Sequence, residues 1–269
     1  MATSSSDDEG EGGGRPAVTV VLHVDGRSDA LSLVLGAWAA QVERGFEVIM
    51  AVAGDGADWL HEAIAPLRPA LPYALRMAFG RRGGRSSALN AAIALARSDY
   101  LVFSTADCLP RRDFLSTHLA LRRPGFFLSG GHWTLPTAAR LALEVPQVTS
   151  GACFQPAWLR RHGVPPRFWG LAWPFRNACN ASGWASDLLV VNGFDERLDG
   201  EASELELAAR LQHAGIASRD TGRLAVVARL GSAVKAASGW PAQALHRHLR
   251  RQVVDWTDHG LIKTEVPPG

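Results

Sequence analysis

Three cysteines in 269 residues, Cys108, Cys153 and Cys179, are too few and too widely spaced to form a disulfide framework, and none falls in a Cys-x-x-Cys pair. A reducing compartment is therefore expected, and with it a cytoplasmic location. No apolar run approaches the roughly 20 residues of a bilayer span. The acidic start at Asp7, Asp8 and Glu9 also lacks the positive opening of a secretory leader, so any work at a membrane would require recruitment. A formal charge of +2 provides no excess of either sign for nucleic acid or a membrane surface. The chain has no Gly-x-Ser-x-Gly elbow, no Walker phosphate loop and no Gly-x-Gly-x-x-Gly, which leaves hydrolase, kinase and dehydrogenase chemistry without a foothold. Nine histidines suggest no metal centre. His246 and His248 stand among Arg247, Arg250 and Arg251, where neighbouring cations oppose a metal ion.

A hydrophobic content of 47% is ordinary for a globular protein, and the length suits one large α/β domain. Residues 1–15 are Ser, Gly and acid with almost nothing to bury, so they are expected to be a disordered tail, and 264–269 a short C-terminal one. Between them, 16–263 form the folded unit. Ala17–His23 reads as a buried strand, and Asp29–Gln41 carries apolar residues at helical spacing. Strands at Phe46–Val52, Tyr73–Ala78 and Tyr100–Ser104 alternate with helices at Trp59–Leu67 and Ser86–Ala96. This alternation predicts a mainly parallel, Rossmann-type sheet flanked by helices. A helix near Asp113–Arg122 and a strand at Phe126–Ser129 follow. From 133 to 175 the pattern is irregular, with Trp158, Trp169 and Trp173 beside Pro165, Pro166 and Pro174 in a region that could wall a pocket or simply pack as core. Asn192-Gly193 is a tight-turn signal that Phe194 would anchor.

The strand Tyr100–Ser104 runs into an acidic turn, Thr105-Ala-Asp107-Cys-Leu-Pro110, and strand ends of open α/β sheets are where ligands bind. The Gly83-Gly84 turn carries Arg81, Arg82 and Arg85 just before a helix N-terminus, a place that favours phosphate, although a solvated basic loop has the same composition. In order and spacing the opening strand and helix, Ala88–Ala96 with its Leu89-Asn90, Asp107–Pro110, His118–Pro124, Asn177–Ser182, Val191–Glu196 and Leu207–Leu211 resemble a family 2 glycosyltransferase of the GT-A fold, of the bacterial polysaccharide and lipopolysaccharide type. This resemblance covers about Pro16–Lys263. It implies a nucleotide-diphosphate sugar as donor, a hydroxyl acceptor in glycan or glycoconjugate assembly, and inverting chemistry with a carboxylate base.

Carried over residue by residue, the resemblance places Asp107, Thr105, Asp55, Arg81, Arg82, Arg85, Asn90 and Arg229 at the donor, and Trp173 and Asn180 at the acceptor. The base falls within Asp199–Leu207. Two alignments of that shortened stretch both put Glu204 at an acidic position, with Glu201 and Glu206 in reserve; Glu near a helix N-terminus is also favourable without catalysis. Four family positions differ here. Thr105 stands for the first acid of the turn, Val52 and Ala53 for the pair that holds the nucleobase, Ser203 or Leu205 for one acid of the catalytic pair, and Arg229 for a metal-binding histidine. A lone Asp107 is a poor cage for Mg²⁺ or Mn²⁺, whereas a guanidinium can neutralise a diphosphate directly. Two readings result: a metal-independent transferase, or an inactive relative that binds a sugar, nucleotide or partner protein.

Overall fold

The computed structural model describes residues 14–26, 29–54, 57–80, 84–164, 179–198, 200–222, 225–230 and 253–263, and every structural statement below concerns these. Asp55, Arg81, Arg82, Trp169, Trp173, His246 and His248 lie outside them, as do nearly all of the expected tail and all of 264–269. Strand β1 (Val18–Asp25) is followed by helix α1 (Leu31–Ala39), β2 (Phe46–Ala53), α2 (Ala57–Ile64), β3 (Ala74–Phe79), α3 (Arg85–Leu95) and β4 (Tyr100–Thr105). β1 pairs in parallel with β2 and β4, and β2 in parallel with β3. These elements match the expected ones to within a few residues. The near-continuous apolar run of β1 has a direct cause: both of its faces are covered. Val18, Val20, Leu22 and Val24 pack with Leu31, Val34, Leu35 and Trp38 of α1, and Val21 packs on the other face with Ala88, Leu89 and Ala92 of α3.

The second half is less regular. It contains β5 (Cys108–Pro110), α4 (Phe114–Leu121), β6 (Phe126–Ser129), β7 (Trp133–Thr134), three short helices α5 (Thr137–Leu141), α6 (Val145–Thr149) and α7 (Pro156–Arg161), then β8 (Ala181–Trp184), α8 (Ala185–Val190), α9 (Gly200–His213), β9 (Ala217–Asp220) and β10 (Val227–Arg229). The main sheet has the order β3-β2-β1-β4-β8-β6-β9, with β8 antiparallel to both neighbours. A small second sheet, β5-β10-β7, continues from the end of β4. Within the irregular passage, Trp158 is partly buried against the core, which is the packing role.

Two buried polar clusters fix the second half against the first, and each contains a residue expected at the site. Asn180 is fully buried. Its amide nitrogen donates to the carbonyls of Gly131 (2.8 Å) and Ala225 (3.0 Å), and its oxygen meets His118 Nε2 at 3.0 Å. His118 Nδ1 in turn lies 2.7 Å from Ser182 Oγ, which lies 2.7 Å from the Tyr100 hydroxyl. Burial holds the His118 pKa down to about 4, so the neutral ring serves as a link, with Nε2 donating to Asn180. The hydrogen bonds of the Asn180 side chain all close inside the protein.

Asn90 is held in a similar way. Its oxygen accepts the Phe194 N–H (2.9 Å), and its nitrogen donates to the Phe194 carbonyl (2.8 Å), so it joins α3 to the turn after α8. That turn is the tight one expected: Asn192 and Gly193 have φ of 62° and 68°, the left-handed region that suits this pair. Phe194 is fully buried and packs edge-on to Phe103 at 6.1 Å. Asn192 also holds the C-terminal segment, donating to the carbonyls of Thr257 (2.6 Å) and Ile262 (2.9 Å).

Asp195 completes this lock, accepting from Arg197 Nη2 at 2.6 Å and Thr257 Oγ1 at 2.9 Å. Burial pushes its carboxyl up, but the hydrogen bonds from Arg197 and Thr257 and the Arg197 charge outweigh it and hold the pKa at about 2. A carboxylate with a depressed folded pKa contributes stability above its unfolded value near 3.8, and that stability is lost as pH falls toward 2. Asp195→Asn should thus unfold at lower denaturant than the native chain at pH 6. The gap should narrow as pH is lowered from about 4 to about 2, as read by urea denaturation; a gap constant across that range would contradict the assignment.

Candidate active site

β1 and β4 end side by side, with His23 registered against Thr105 and the Ala106 N–H donating to the His23 carbonyl at 2.9 Å. The chain then turns through Ala106 and Asp107 into β5. Because β10 pairs antiparallel with β5, Arg229 is registered against Cys108, and the Leu230 N–H donates to the Asp107 carbonyl at 2.7 Å. This pairing brings the Arg229 Nε to 2.8 Å from Asp107 Oδ2. The other carboxylate oxygen accepts the Thr105 hydroxyl at 2.5 Å and the Cys108 thiol at 3.4 Å. Burial raises the Asp107 pKa, but the hydrogen bonds from Thr105 and Arg229 and the Arg229 charge overcome it, and Asp107 is held ionised below the ordinary carboxylate value.

Helix α3 begins directly after Gly84, and its first residue, Arg85, donates through Nη2 to Glu204 Oε1 on α9 at 2.5 Å. Glu204 is only 5% exposed. Its pKa is raised, foremost by burial, with Cys179 and Glu201 adding to the rise while Arg85 pulls the other way. The reserve acids separate clearly. Glu206 is spent on Arg210 of the same helix, whose guanidinium also bonds the Val191 carbonyl, so it braces α9. Glu201 sits half-buried in the first turn of α9.

Side chains that the sequence did not single out join these two pairs. His23 is buried beside Arg85 and Asp107; burial, reinforced by Arg85, lowers its pKa to about 3, and its Nε2 has no hydrogen-bond partner among the described residues. Cys179 hydrogen-bonds with Cys108 and with His132. Burial pushes the Cys179 thiol up, but those bonds and the positive charges of His132 and Arg229 bring it down to about 6. Arg85 acts on both His23 and Glu204, Cys179 acts on Glu204, and Arg229 acts on Cys179, so the cluster is continuous. Signals for these residues were present but local. His23 ends an apolar strand, and Cys108 adjoins the acidic turn, while Cys179 and His132 come near them only through the sheet.

The residues at the turn do not fit a divalent cation. Both oxygens of Asp107 already accept hydrogen bonds, one from a guanidinium that would repel Mg²⁺ or Mn²⁺, and no group of three His, Cys, Asp or Glu among the described residues is arranged to hold a metal ion. Val52 is buried and Ala53 half-buried at the end of β2, with no acid at either position.

An open, mainly parallel sheet whose acidic turn is closed by a small second sheet is the architecture of GT-A glycosyltransferases. Residues 34–122 match the family model described as Glycosyl transferase family 2. The match runs from α1 through α4 and so includes Asp107 but stops short of Glu204 and Arg229. Among solved structures, the mannosyltransferase PcManGT from Pyrobaculum calidifontis, in complex with GDP-Man and Mn²⁺, is similar at 20% identity and a TM-score of 0.56, covering 82% of this chain and 59% of that one. S. aureus TarS 1–349 in complex with UDP-GlcNAc is similar at 13% identity and a TM-score of 0.55, covering 86% and 65%. The chain thus spans about three fifths of the length of each. No curated protein matches. Among the described residues, no helix is long and apolar enough to cross a membrane.

Since Arg85 is the cation that opposes the rise of the Glu204 pKa, Arg85→Met should raise that pKa further. Carboxyl carbon-13 NMR across pH 4–9, with Glu204→Gln identifying the resonance, should show titration at higher pH than in the native chain; an unchanged midpoint would show that the ion pair is absent in solution.

Proposed function

We propose that this chain transfers a sugar from a nucleotide-diphosphate donor to a hydroxyl acceptor, with inversion and without a divalent metal. The observation that carries the reading is the pairing of Arg229 with Asp107 at the strand ends, opposite the Arg85–Glu204 pair. In family 2 enzymes the donor diphosphate is expected at this acidic turn. Here a fixed cation already stands there. The neighbours' complexes with GDP-Man and UDP-GlcNAc support a nucleotide sugar as the donor class.

In this reading Glu204 takes the acceptor's hydroxyl proton while that oxygen attacks the anomeric carbon and the bond to the diphosphate breaks. A buried carboxylate with a raised pKa is a stronger base than an exposed one, and the Arg85 guanidinium opposes that rise. Negative charge grows on the leaving diphosphate. Arg229, held in place by Asp107, meets that charge, and positioned cations at a developing charge are among the larger contributions to catalysis. Asp107 is then the residue that positions Arg229. Arg85 adds positive charge at the start of α3, and Arg81, Arg82, Asp55 and Trp173 remain proposed contacts for donor and acceptor.

A panel of nucleotide-diphosphate sugars, assayed for slow donor hydrolysis with Mn²⁺ and with EDTA, tests the reading without knowing the acceptor. One donor should be turned over at similar rates in both conditions, and Glu204→Gln should lower kcat roughly 10²-fold while leaving donor affinity nearly unchanged. Turnover that disappears in EDTA would reject the metal-free mechanism, and inactivity toward every donor would reject transfer itself.

A further inference from the structure

The contact between Cys108 and Cys179 is not used by the reaction outlined above. Cys108 opens β5 immediately after Asp107, and Cys179 lies two residues ahead of β8. Although 71 positions apart in the chain, their thiols hydrogen-bond to one another, and His132 hydrogen-bonds to Cys179 from a third segment. Cys108 also donates to Asp107 and lies 3.1 Å from the Thr105 hydroxyl. The third cysteine, Cys153, packs in the core beside Val148 and Phe154, outside this cluster. Both thiols of the pair are buried, and Cys108 sits against Asp107, whose side chain is 30% exposed.

We propose that Cys108 and Cys179 form an oxidation site for a small hydroperoxide, and that the resulting disulfide shuts down nucleotide-diphosphate binding at the Asp107 turn. Two requirements for such a site are met together. The sulfurs are already in contact, and one of them is set up by His132 to carry the negative charge that attacks. Cys179 as thiolate attacks one peroxide oxygen; the O–O bond breaks, and hydroxide leaves and takes up a proton to become water. The sulfenic acid formed is then attacked by the Cys108 sulfur, which closes the S–S bond and expels the second water. Two electrons pass from the two sulfurs to the peroxide, and both of its oxygens end as water.

Consequences for the site follow from geometry. A disulfide bond of about 2.05 Å is far shorter than a contact between two thiols, so its formation draws the start of β5 toward the residue ahead of β8. Cys108 can then no longer donate to Asp107. Asp107 is the residue that holds Arg229, so the proposed diphosphate site is disturbed from beneath. This second half of the proposal rests on the functional reading above; the oxidation itself does not.

The full chain is treated with hydrogen peroxide, its remaining thiols are alkylated, and unreduced peptides are mapped by mass spectrometry. The expected product is a cross-linked peptide pair joining Cys108 to Cys179, lighter by two hydrogens, with Cys153 alkylated. Dithiothreitol should reverse it, and glutathione disulfide at the same concentration should react at least tenfold more slowly. In calorimetry, whichever of UDP or GDP binds the reduced chain should bind the oxidised chain at least tenfold more weakly and recover on reduction, with Cys153→Ser behaving in the same way. Sulfonic acid or unmodified thiols at 108 and 179 would overturn the oxidation site. A mapped cross-link with unchanged nucleotide affinity would overturn the shut-down. Failure of both nucleotides to bind the reduced chain would count against the shut-down and the functional reading together, while the mapping would still decide the oxidation site.

Discussion

Everything proposed for this protein depends on the antiparallel pairing of β10 with β5, because that pairing sets Arg229 opposite Cys108 and delivers a guanidinium to Asp107. Two charges taken partly out of water must find each other, and here each finds a partner at hydrogen-bond distance. The pairing also places the Leu230 N–H on the Asp107 carbonyl, so backbone and side chain of the turn are held from the same strand. β10 thus ties the turn that follows β4 to the small second sheet.

The candidate site is built from two ion pairs of opposite arrangement. On one side the acid, Asp107, belongs to the sheet and the base, Arg229, comes from the later strand; on the other, Arg85 belongs to α3 and Glu204 comes from α9. Their carboxyls diverge accordingly. Burial raises both, but only at Asp107 do the surrounding donors overcome it, so one acid is held firmly ionised and the other sits higher. A pair of acids in one cleft with pKa values driven apart by their surroundings suits two roles, one structural and one in proton transfer.

Much of the fold was legible because it rests on local signals. β1 reads as a strand from its near-continuous apolar run, and α3 from its helical spacing and preceding glycines. Asn192-Gly193 reads as a turn because few other pairs accept positive φ. The site was only partly legible. Asp107, Arg229, Arg85 and Glu204 were visible by type and place, yet nothing in the sequence says that they bond in pairs. The buried partners of Asn90 and Asn180 were not legible for a physical reason: a polar residue near a ligand and a polar residue stapling two buried segments look the same until the partners are known. Cys179 and His132 were invisible as a unit, being brought together only by segments distant in the chain.

The central claim is that a guanidinium on Asp107 stands where a metal would, and a crystal structure grown with UDP or GDP and excess Mn²⁺, recorded with anomalous scattering, tests it most directly. The account predicts phosphate oxygens within hydrogen-bond distance of the Arg229 guanidinium and no anomalous peak at Asp107. A manganese ion bound to Asp107, with Arg229 displaced from it, would contradict the account.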